Sequence, residues 1–478
     1  MTPASTTPSS QLESILGNQR RAFEAELPIP AAVRRDRLRR LADLVLRGQH
    51  DFTAAVDADF GGRPPMLSRA VDVLPALNAI RSSLRRFEGW MKPERREVTF
   101  PLGLLGAKAE VRFQPKGVIG LISPWNYPLN TSLIALASMF AAGNRVMMKP
   151  SELTPTVSAL IRSWALASFG EDEWAVVTGD ADIGAAFSNL PFDHLYFTGS
   201  TAVGQNVMAA AARHLTPVTL ELGGKSPVLI GTGADLRAAA SRVVAGKLLN
   251  GGQTCVSPDY VLIEPHQAEA FTHALIAAAR EMYPTLENNP DYTAIISPRR
   301  FARLTALLDE ARAVGAEIDS AAEQGASRRM PLHVVRHAPD HLGLMQEELF
   351  GPILPIVEIA SFGARLAYVK ARPRPLALYY FGNSPAERAA VLDRTVSGGV
   401  TLGDVMYHAG EEDLPFGGIG ASGVGAYHGR DGFMEFSHKK AVYTQVGFDL
   451  GALIGLKPPY GPRLETFLRL KIGPSPRG

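Results

Sequence analysis

The spacing of apolar and polar positions divides the chain into stretches of different period. From about residue 12 to 90, apolar residues recur at helical spacing, as at Leu38, Leu41, Leu44 and Val45, with few strand signals. A largely helical lead-in is predicted there. Glu97-Val98-Thr99-Phe100 and Ala109-Glu110-Val111-Arg112-Phe113 then alternate in polarity on either side of the turn-rich Pro101-Leu102-Gly103, which predicts a β-hairpin. Between about residues 115 and 222, short apolar runs alternate with helical patterns. Strands are predicted at 118–122, 145–148, 175–177 and 194–197, and helices at 133–142 and 156–169. Such alternation builds βαβ units and a parallel sheet. The pattern restarts after Gly224 with a strand at 227–230 and a helix over 234–249, and this second α/β lobe runs to about Ser437.

Length and composition narrow the class. At 478 residues the chain is too long for one small core and long enough for two or three lobes. Hydrophobic residues at 46% and charged residues at 20% match a globular enzyme rather than a disordered chain. The formal net charge of +2 argues against a polyanion as main partner, and no basic run interleaved with aromatics suggests a nucleic-acid surface. The densest basic stretch, Arg34-Arg35-Asp36-Arg37-Leu38-Arg39-Arg40, shares the helical period of its neighbours and is expected to form a solvated helix face. With a single cysteine, Cys255, neither an intramolecular disulfide nor a cysteine-based metal site is possible; no metal is expected, and a reducing, cytoplasmic compartment fits.

Residues 1–11, rich in Ser, Thr and Pro, carry no basic or apolar segment, so a flexible tail is expected rather than a signal peptide. No segment reaches the roughly 18 apolar residues of a membrane span. The apolar stretch 446–456 is short and is expected to pack on the protein or on a partner subunit.

Two glycine motifs compete for a phosphate-binding role. Gly418-Ile419-Gly420-Ala421-Ser422-Gly423 has the G-x-G-x-x-G spacing, but no convincing strand precedes it and no helix obviously begins there. A tight structural loop is the expectation. Gly199-Ser200-Thr201-Ala202-Val203-Gly204 directly follows the strand 194–197 and opens a helical run from Gly204 to His214. There, backbone N–H groups at a helix N-terminus can hold a phosphate, and Ser200 can cap the helix or donate to the phosphate. An ordinary capped helix is an equal reading.

Cys255 lies in Asn250-Gly251-Gly252-Gln253-Thr254-Cys255, among glycines and polar residues rather than an apolar run. A loop of this kind admits a substrate and can aim N–H groups at a reacting oxygen; a buried small hydrophobe is the alternative. Glu221 sits between Leu220 and Leu222 at a strand end. Partial burial would raise its pKa and suit a general base, against the reading of a capping or ion-paired carboxylate. Asn126, in Pro124-Trp125-Asn126-Tyr127-Pro128, stands between a strand and a helix. Its amide can donate to an oxyanion or stabilise its own turn.

Phe197-Thr198-Gly199-Ser200, Leu220-Glu221-Leu222-Gly223-Gly224-Lys225-Ser226-Pro227 and Gly252-Gln253-Thr254-Cys255 resemble, in the same order, signatures of the aldehyde dehydrogenase superfamily. Pro124-Trp125-Asn126, Lys149-Pro150-Ser151-Glu152, Glu347-Glu348-Leu349-Phe350-Gly351-Pro352 and Pro415-Phe416-Gly417-Gly418 match as well, so the resemblance spans about residues 12–445. Ser226-Pro227, Pro258-Asp259-Tyr260 and Ala426-Tyr427-His428-Gly429 look most like the class 3 branch, and within it the coniferyl aldehyde dehydrogenases.

The resemblance implies an α/β fold. A Rossmann-type NAD(P)-binding domain would comprise 12–95 and 115–222, and an α/β catalytic domain 223–439. A small β-hairpin oligomerisation arm would comprise 96–114 and 440–460, followed by a C-terminal tail over 461–478, and the assembly would be a homodimer. The implied activity is oxidation of an aldehyde to the carboxylic acid with NAD or NADP. Cys255 would be the nucleophile, passing through a thiohemiacetal and a thioester. Asn126 and the N–H of Cys255 would hold the oxyanion, and Glu221 would activate the hydrolytic water. Gly199, Ser200 and Gly204 would cradle the pyrophosphate, Lys149 and Glu152 would meet the adenosine ribose, and Glu348 and Phe350 the nicotinamide ribose and ring. Pro124, Trp125, Ser151, Leu222 and Gly223 complete the cofactor residues that the resemblance implies.

Two other readings share this fold. A CoA-acylating enzyme would typically lack the glutamate that stands here as Glu221, and a non-catalytic binding protein would have no need of Cys255, Glu221 and Asn126 together. For the substrate, an aromatic aldehyde such as coniferaldehyde or a medium-chain aliphatic one is expected. Trp125, Tyr127, Tyr379, Tyr380, Phe381, Met406 and Tyr407 are near motif loops, although most are expected to be core. Gly403 stands where many relatives carry Asn, which removes an amide from near the pocket and frees the backbone.

Overall fold

The structure, a computed structural model, describes residues 6–100 and 102–473. Two compact units emerge: Pro115–Ser437 together with the chain up to Trp90, and Met91–Gln114 together with the chain from His438.

In the larger unit the helices Ser9–Glu26, Ala31–Phe60 and Leu74–Trp90 form the predicted helical lead-in. A six-stranded sheet follows, in the spatial order Gly423–Val424, Val218–Leu222, His194–Gly199, Val118–Ile122, Arg145–Lys149 and Trp174–Val176. The five longer strands are parallel, and the short Gly423–Val424 edge is antiparallel. Parallel strands are covered on both faces and therefore read as unbroken apolar runs; that is why Val118–Ile122 and His194–Gly199 stood out so clearly. Neighbours on either side of Val118–Ile122 run in opposite chain directions through the sheet order, which makes the gap between it and His194–Gly199 a topological switch point. Ligands in open α/β sheets bind outside the carboxyl ends of the strands at such a point. The second sheet has seven strands, from Glu317–Ser320 through His333–Arg336, Ile353–Glu358, Pro258–Ile263, Ser226–Ile230 and Ala377–Phe381 to Gly399–Leu402.

Several expectations need correction. Ser9–Gln11 already belong to the first helix, and the Thr7 amide donates to Thr178 O at 2.8 Å. Leu12, Ile15 and Leu16 bury themselves with Val118 and Met147, so the predicted tail is docked from residue 7; its residues 1–5 lie outside the described residues. Likewise the predicted C-terminal tail contains the helix Pro462–Ile472, and residues 474–478 lie outside the described part. Within the stretch 446–456, Val446 is buried while Leu453 and Leu456 are exposed.

The hairpin exists with a shifted first strand. Glu94–Arg96 pairs antiparallel with Lys108–Pro115, and Ser437–Thr444 is the third strand of this sheet. Residues 97–100 leave the ladder because Leu102 N bonds Thr99 O at 2.9 Å and Ala107 N bonds Leu102 O at 3.0 Å, coiling the connection into turns. Pro101 lies outside the described residues. The basic stretch is not simply a solvated face either: Arg34 is 4% and Arg37 0% exposed. Arg34 donates to Ala141 O and Ala142 O at 3.0 and 2.8 Å, satisfying carbonyls at the end of the helix Asn130–Ala142. Arg37 is paired with Glu26 and Glu173.

Burial raises the carboxyl of Glu173, but hydrogen bonds from Arg40 and Arg37 outweigh it and hold the pKa at about 2. A depressed carboxyl contributes stability that is present above its unfolded pKa and is lost as pH falls toward the folded one. Glu173→Gln should therefore destabilise the protein at neutral pH by about 1–3 kcal/mol. Urea denaturation at pH near 7 and near 4 should show the gap to wild type narrowing at the acidic condition.

Candidate active site

The carboxyl ends of the two strands at the switch point present the loops that carry most of the predicted residues. Pro124, Trp125 and Asn126 follow Val118–Ile122, and Gly199 and Ser200 end the neighbouring strand. With Glu221, Gly223, Cys255, Glu348 and Phe350 they line one cleft of about 410 Å³. Lys149, Ser151, Glu152, Gly204 and Leu222 do not line it. Lys149 and Glu152 form an ion pair of 2.8 Å at the end of the next strand. Gly204 and Leu222 are packing partners instead, since a Cβ on Gly204 would come within 2.6 Å of the Leu222 side chain.

The glycine motif at 199–204 sits where a phosphate cradle needs it, though the helix begins at Thr201 and ends at Ala212 rather than running from Gly204 to His214. Ser200 occupies the N-cap position, yet its hydroxyl makes no capping bond, which leaves that donor and the first helical N–H groups toward the cleft. Glu348 Oε1 is buried and lacks a hydrogen-bond partner among the described residues. An exposed N-terminal turn at one end and an orphaned carboxylate at the other fit a dinucleotide with its phosphates on the first and a ribose hydroxyl on the second. The competing glycines at 418–423 form the predicted loop, and Gly423 pairs with Glu221 at the sheet edge.

Cys255 is held by a loop of forced shape. Asn250 adopts φ +53°, and Gly252 approaches Gly351 so closely that a Cβ would lie 2.5 Å from its carbonyl carbon. Only glycine allows this loop to pack on the loop that carries Glu348 and Phe350. The Gln253 amide group locks the arrangement, donating to Asn250 O at 2.9 Å and Ala294 O at 3.0 Å while its oxygen accepts from Ile296 N at 2.9 Å. Asn126 Nδ2 donates to Gln253 O at 3.1 Å, which brings the amide beside the cysteine loop.

Glu221 is 2% exposed, lines the same cleft as Cys255, and its Oε1 lacks a hydrogen-bond partner among the described residues. Burial pushes its carboxyl up to about 8, with the nearby Cys255 thiol pulling the other way. Burial also pushes the Cys255 thiol well up, reinforced by the charges of Glu221 and Glu348. The resting pair is thus protonated, a thiol facing a carboxyl poised to lose its proton near neutrality. Glu348 is raised to about 8 by burial and the charge of Asp259.

The sequence reading missed the groups that fix Glu348. Lys225 Nζ donates to Asp259, to Leu344 O at 2.8 Å and to Glu347 O at 2.9 Å, while Asp259 Oδ1 accepts from Leu349 N at 3.1 Å. Both flanks of Glu348 are therefore pinned. Phe350 follows at φ +50°, a strained position for an aromatic residue, and its ring meets Trp125 edge-on at 5.4 Å. Arg300, also missed, lays its guanidinium over both rings at 5.7 and 5.9 Å; Pro298 marked a helix start there, but nothing in the pattern tied that helix to the cleft. Of the aromatic candidates, Tyr379 donates to Val256 O next to the cysteine, Tyr380 and Phe381 are core, and Tyr407 is exposed. Gly403 adopts φ +74° with nothing within 4 Å of a would-be Cβ, so Gly stands in the left-handed conformation that Asn tolerates best among other residues.

Comparison with known proteins shows the family and the fold. A sequence model of the Aldehyde dehydrogenase family matches residues 2–442. A protein of Caulobacter vibrioides named a probable coniferyl aldehyde dehydrogenase is 47% identical, with 96% of each chain covered. A Pseudomonas protein named coniferyl aldehyde dehydrogenase is 43% identical, with 97% of each covered. Among solved structures, a Staphylococcus aureus chain described as AldH in a substrate-bound state superposes with a TM-score of 0.89 at 31% identity, covering 96% of this chain and 99% of that one.

Two predictions come from this geometry. A carboxyl raised in the folded state contributes stability that is complete below its unfolded pKa and is lost as pH rises through the folded one. With Glu221 at about 8, thermal melts should show Glu221→Gln gaining on wild type between mildly acidic and alkaline buffer; an unchanged difference would mean the carboxyl is not desolvated. Gly403→Asn should fold with a stability change below about 1 kcal/mol, seen as a nearly unchanged urea midpoint.

Proposed function

The chain belongs to the aldehyde dehydrogenase family and is an NAD(P)-dependent oxidoreductase acting on aldehydes; on that premise we propose a mechanism for it centred on Cys255, Glu221 and Asn126. The observation that carries the proposal is the buried Glu221 carboxyl, one oxygen of which lacks a hydrogen-bond partner among the described residues, lining the same cleft as Cys255 and the cofactor cradle. Glu221 takes the thiol proton, and the thiolate adds to the aldehyde carbon to give a thiohemiacetal. Asn126 Nδ2 and the Cys255 N–H receive the oxygen that gains charge. A nicotinamide held beside Glu348 and Phe350 would supply a hydride acceptor, and Cys255 would then carry the acyl group as a thioester. Glu221, having passed its first proton to solvent, takes one from water as that water attacks the thioester. The carboxylic acid leaves and the thiolate is restored.

In the cleft, Ser200 and the Thr201–Ala212 N-terminus would hold the pyrophosphate, and Glu348 and Phe350 the nicotinamide ribose and ring, while beyond the cleft lining Lys149 and Glu152 would meet the adenosine ribose. Pro124, Trp125 and Gly223 would form the walls between them. The substrate class proposed is an arylpropenal of the coniferaldehyde type, as the names of the two relatives suggest, with medium-chain aliphatic aldehydes as the alternative. A homodimer is proposed as the assembly, and a light-scattering mass of a single chain would reject it.

The test is NADH formation from coniferaldehyde, benzaldehyde and hexanal, with NAD and NADP in parallel and no CoA. Wild type should turn over and Cys255→Ala should not. Glu221→Gln should lower the steady rate by about 10²-fold or more, with thioester accumulating on Cys255. Wild-type kcat/KM should rise with pH through about 8 as Glu221 ionises. Turnover that begins only when CoA is added would reject hydrolysis by Glu221.

A further inference from the structure

An ion pair buried on both sides, the most deeply buried among the described residues of the larger unit, stands behind Asn126, and nothing in the mechanism above uses it. Arg63 Nη2 and Asp72 Oδ2 are 2.6 Å apart, with both side chains at 0% exposure. Asp72 lies in a π-helical turn, Arg69–Val73, a rare element that often marks function. Its other oxygen accepts from Leu129 N at 3.2 Å and Asn130 N at 3.1 Å, the start of the helix that follows the Asn126 loop. Arg63 Nη1 donates to Asn126 O at 2.8 Å, and Asn250 Nδ2 meets the same carbonyl at 3.0 Å. The guanidinium also lies 5.1 Å from the ring of Tyr127, whose hydroxyl bonds Thr254 Oγ1 at 2.6 Å, one residue before Cys255.

A fold in need of stability alone gains little from this pair. Burying two charges costs more than apolar side chains of the same size, and Arg63 Nε lacks a hydrogen-bond partner among the described residues. What the pair does provide is geometry. One cation grips the Asn126 carbonyl and the Tyr127 ring, and so reaches both groups proposed to hold the oxyanion: the Asn126 amide through that residue's own backbone carbonyl, and the Cys255 N–H through Tyr127 and Thr254.

We infer that Arg63, anchored by Asp72, is a positioning residue that holds the Asn126 amide and the cysteine loop in register for the developing oxyanion. The inference rests on the reading of Asn126 given above. It concerns the step in which charge appears on oxygen, so it bears equally on aldehyde oxidation and on cofactor-free ester hydrolysis at Cys255.

The experiment compares Arg63→Lys, Arg63→Ala, Asp72→Asn and Asn126→Ala with wild type. Dehydrogenase kcat and KM, hydrolysis of 4-nitrophenyl acetate without cofactor, and the dissociation constant of NADH are measured, all per folded, thiol-titratable site. Arg63→Lys keeps the charge but loses the fork that reaches Asp72 and Asn126 together, while Asp72→Asn turns a donor toward the guanidinium. Both should lower oxidation and ester hydrolysis in parallel by about 10- to 100-fold, with the NADH dissociation constant within about twofold of wild type. Methylguanidinium should restore part of the Arg63→Ala rate. Wild-type rates per folded site in Arg63→Lys and Asp72→Asn would overturn the inference, as would a loss confined to oxidation that tracks weaker NADH binding. Asn126→Ala separates the two levels: if it hydrolyses the ester at the wild-type rate, the reading of Asn126 itself fails; if it is impaired while the Arg63 and Asp72 variants are not, only the positioning role fails.

Discussion

A buried carboxyl and a half-buried thiol lining one cleft set the terms for the rest of this structure. Glu221 is on a parallel strand whose neighbours bury it on both sides, and its side chain lines the cleft that Cys255 also lines. Desolvation disfavours both charged forms, so the nucleophile rests as a neutral thiol in the same cleft as a neutral carboxyl. It then depends on everything around it for the moment when charge must appear, and oxyanion donors, a route for protons and a cofactor bound close by all have to be prearranged.

That dependence explains why so much of the surrounding architecture is loop pinned to loop. The cysteine loop packs on the Glu348–Phe350 loop through Gly252 and Gly351, the latter is clamped by Lys225 and Asp259, and Asn126 reaches the cysteine loop through Gln253 O. Positive φ at Asn250 and Phe350 is the conformational cost of bringing three chain segments to one point. None of these segments is regular secondary structure at the critical residue, and each is therefore held by side-chain to backbone hydrogen bonds, as irregular buried backbone must be.

The regular parts were legible in sequence for a simple reason. Val118–Ile122, Arg145–Lys149 and His194–Gly199 are buried on both faces, so their composition is dominated by burial and their ends by turn residues. The ordered motifs likewise brought Cys255, Glu221, Asn126, Glu348 and Phe350 forward together, and the cleft unites them. What escaped was long-range pairing. Arg37 and Arg34 look like members of a solvated basic face until Glu173 and the helix end at Ala142 are placed beside them. Arg63 and Asp72 are two unremarkable polar residues nine positions apart, and only the π-helical turn and the Asn126 loop give them meaning. The shift of the hairpin strand to Glu94–Arg96 has the same origin: alternation continued to Phe100, but local turn bonds took the backbone groups that a ladder would need.

The Lys149–Glu152 ion pair, beyond the cleft lining, shows how charge balance can leave a preference open by construction. On the proposed placement, the adenosine ribose would meet Lys149 and Glu152 as one ion pair, with the lysine 4% and the glutamate 46% exposed. A 2′-hydroxyl would be accepted by the carboxylate, whereas a 2′-phosphate would find the lysine attractive and the carboxylate repulsive. Because the carboxylate is the exposed partner, it can turn toward solvent at little cost, and its repulsion would be screened far more than a buried charge. A buried acid at that position would have enforced one dinucleotide. On that placement, an exposed acid tethered to a buried lysine would bias the choice toward NAD without closing the site to NADP.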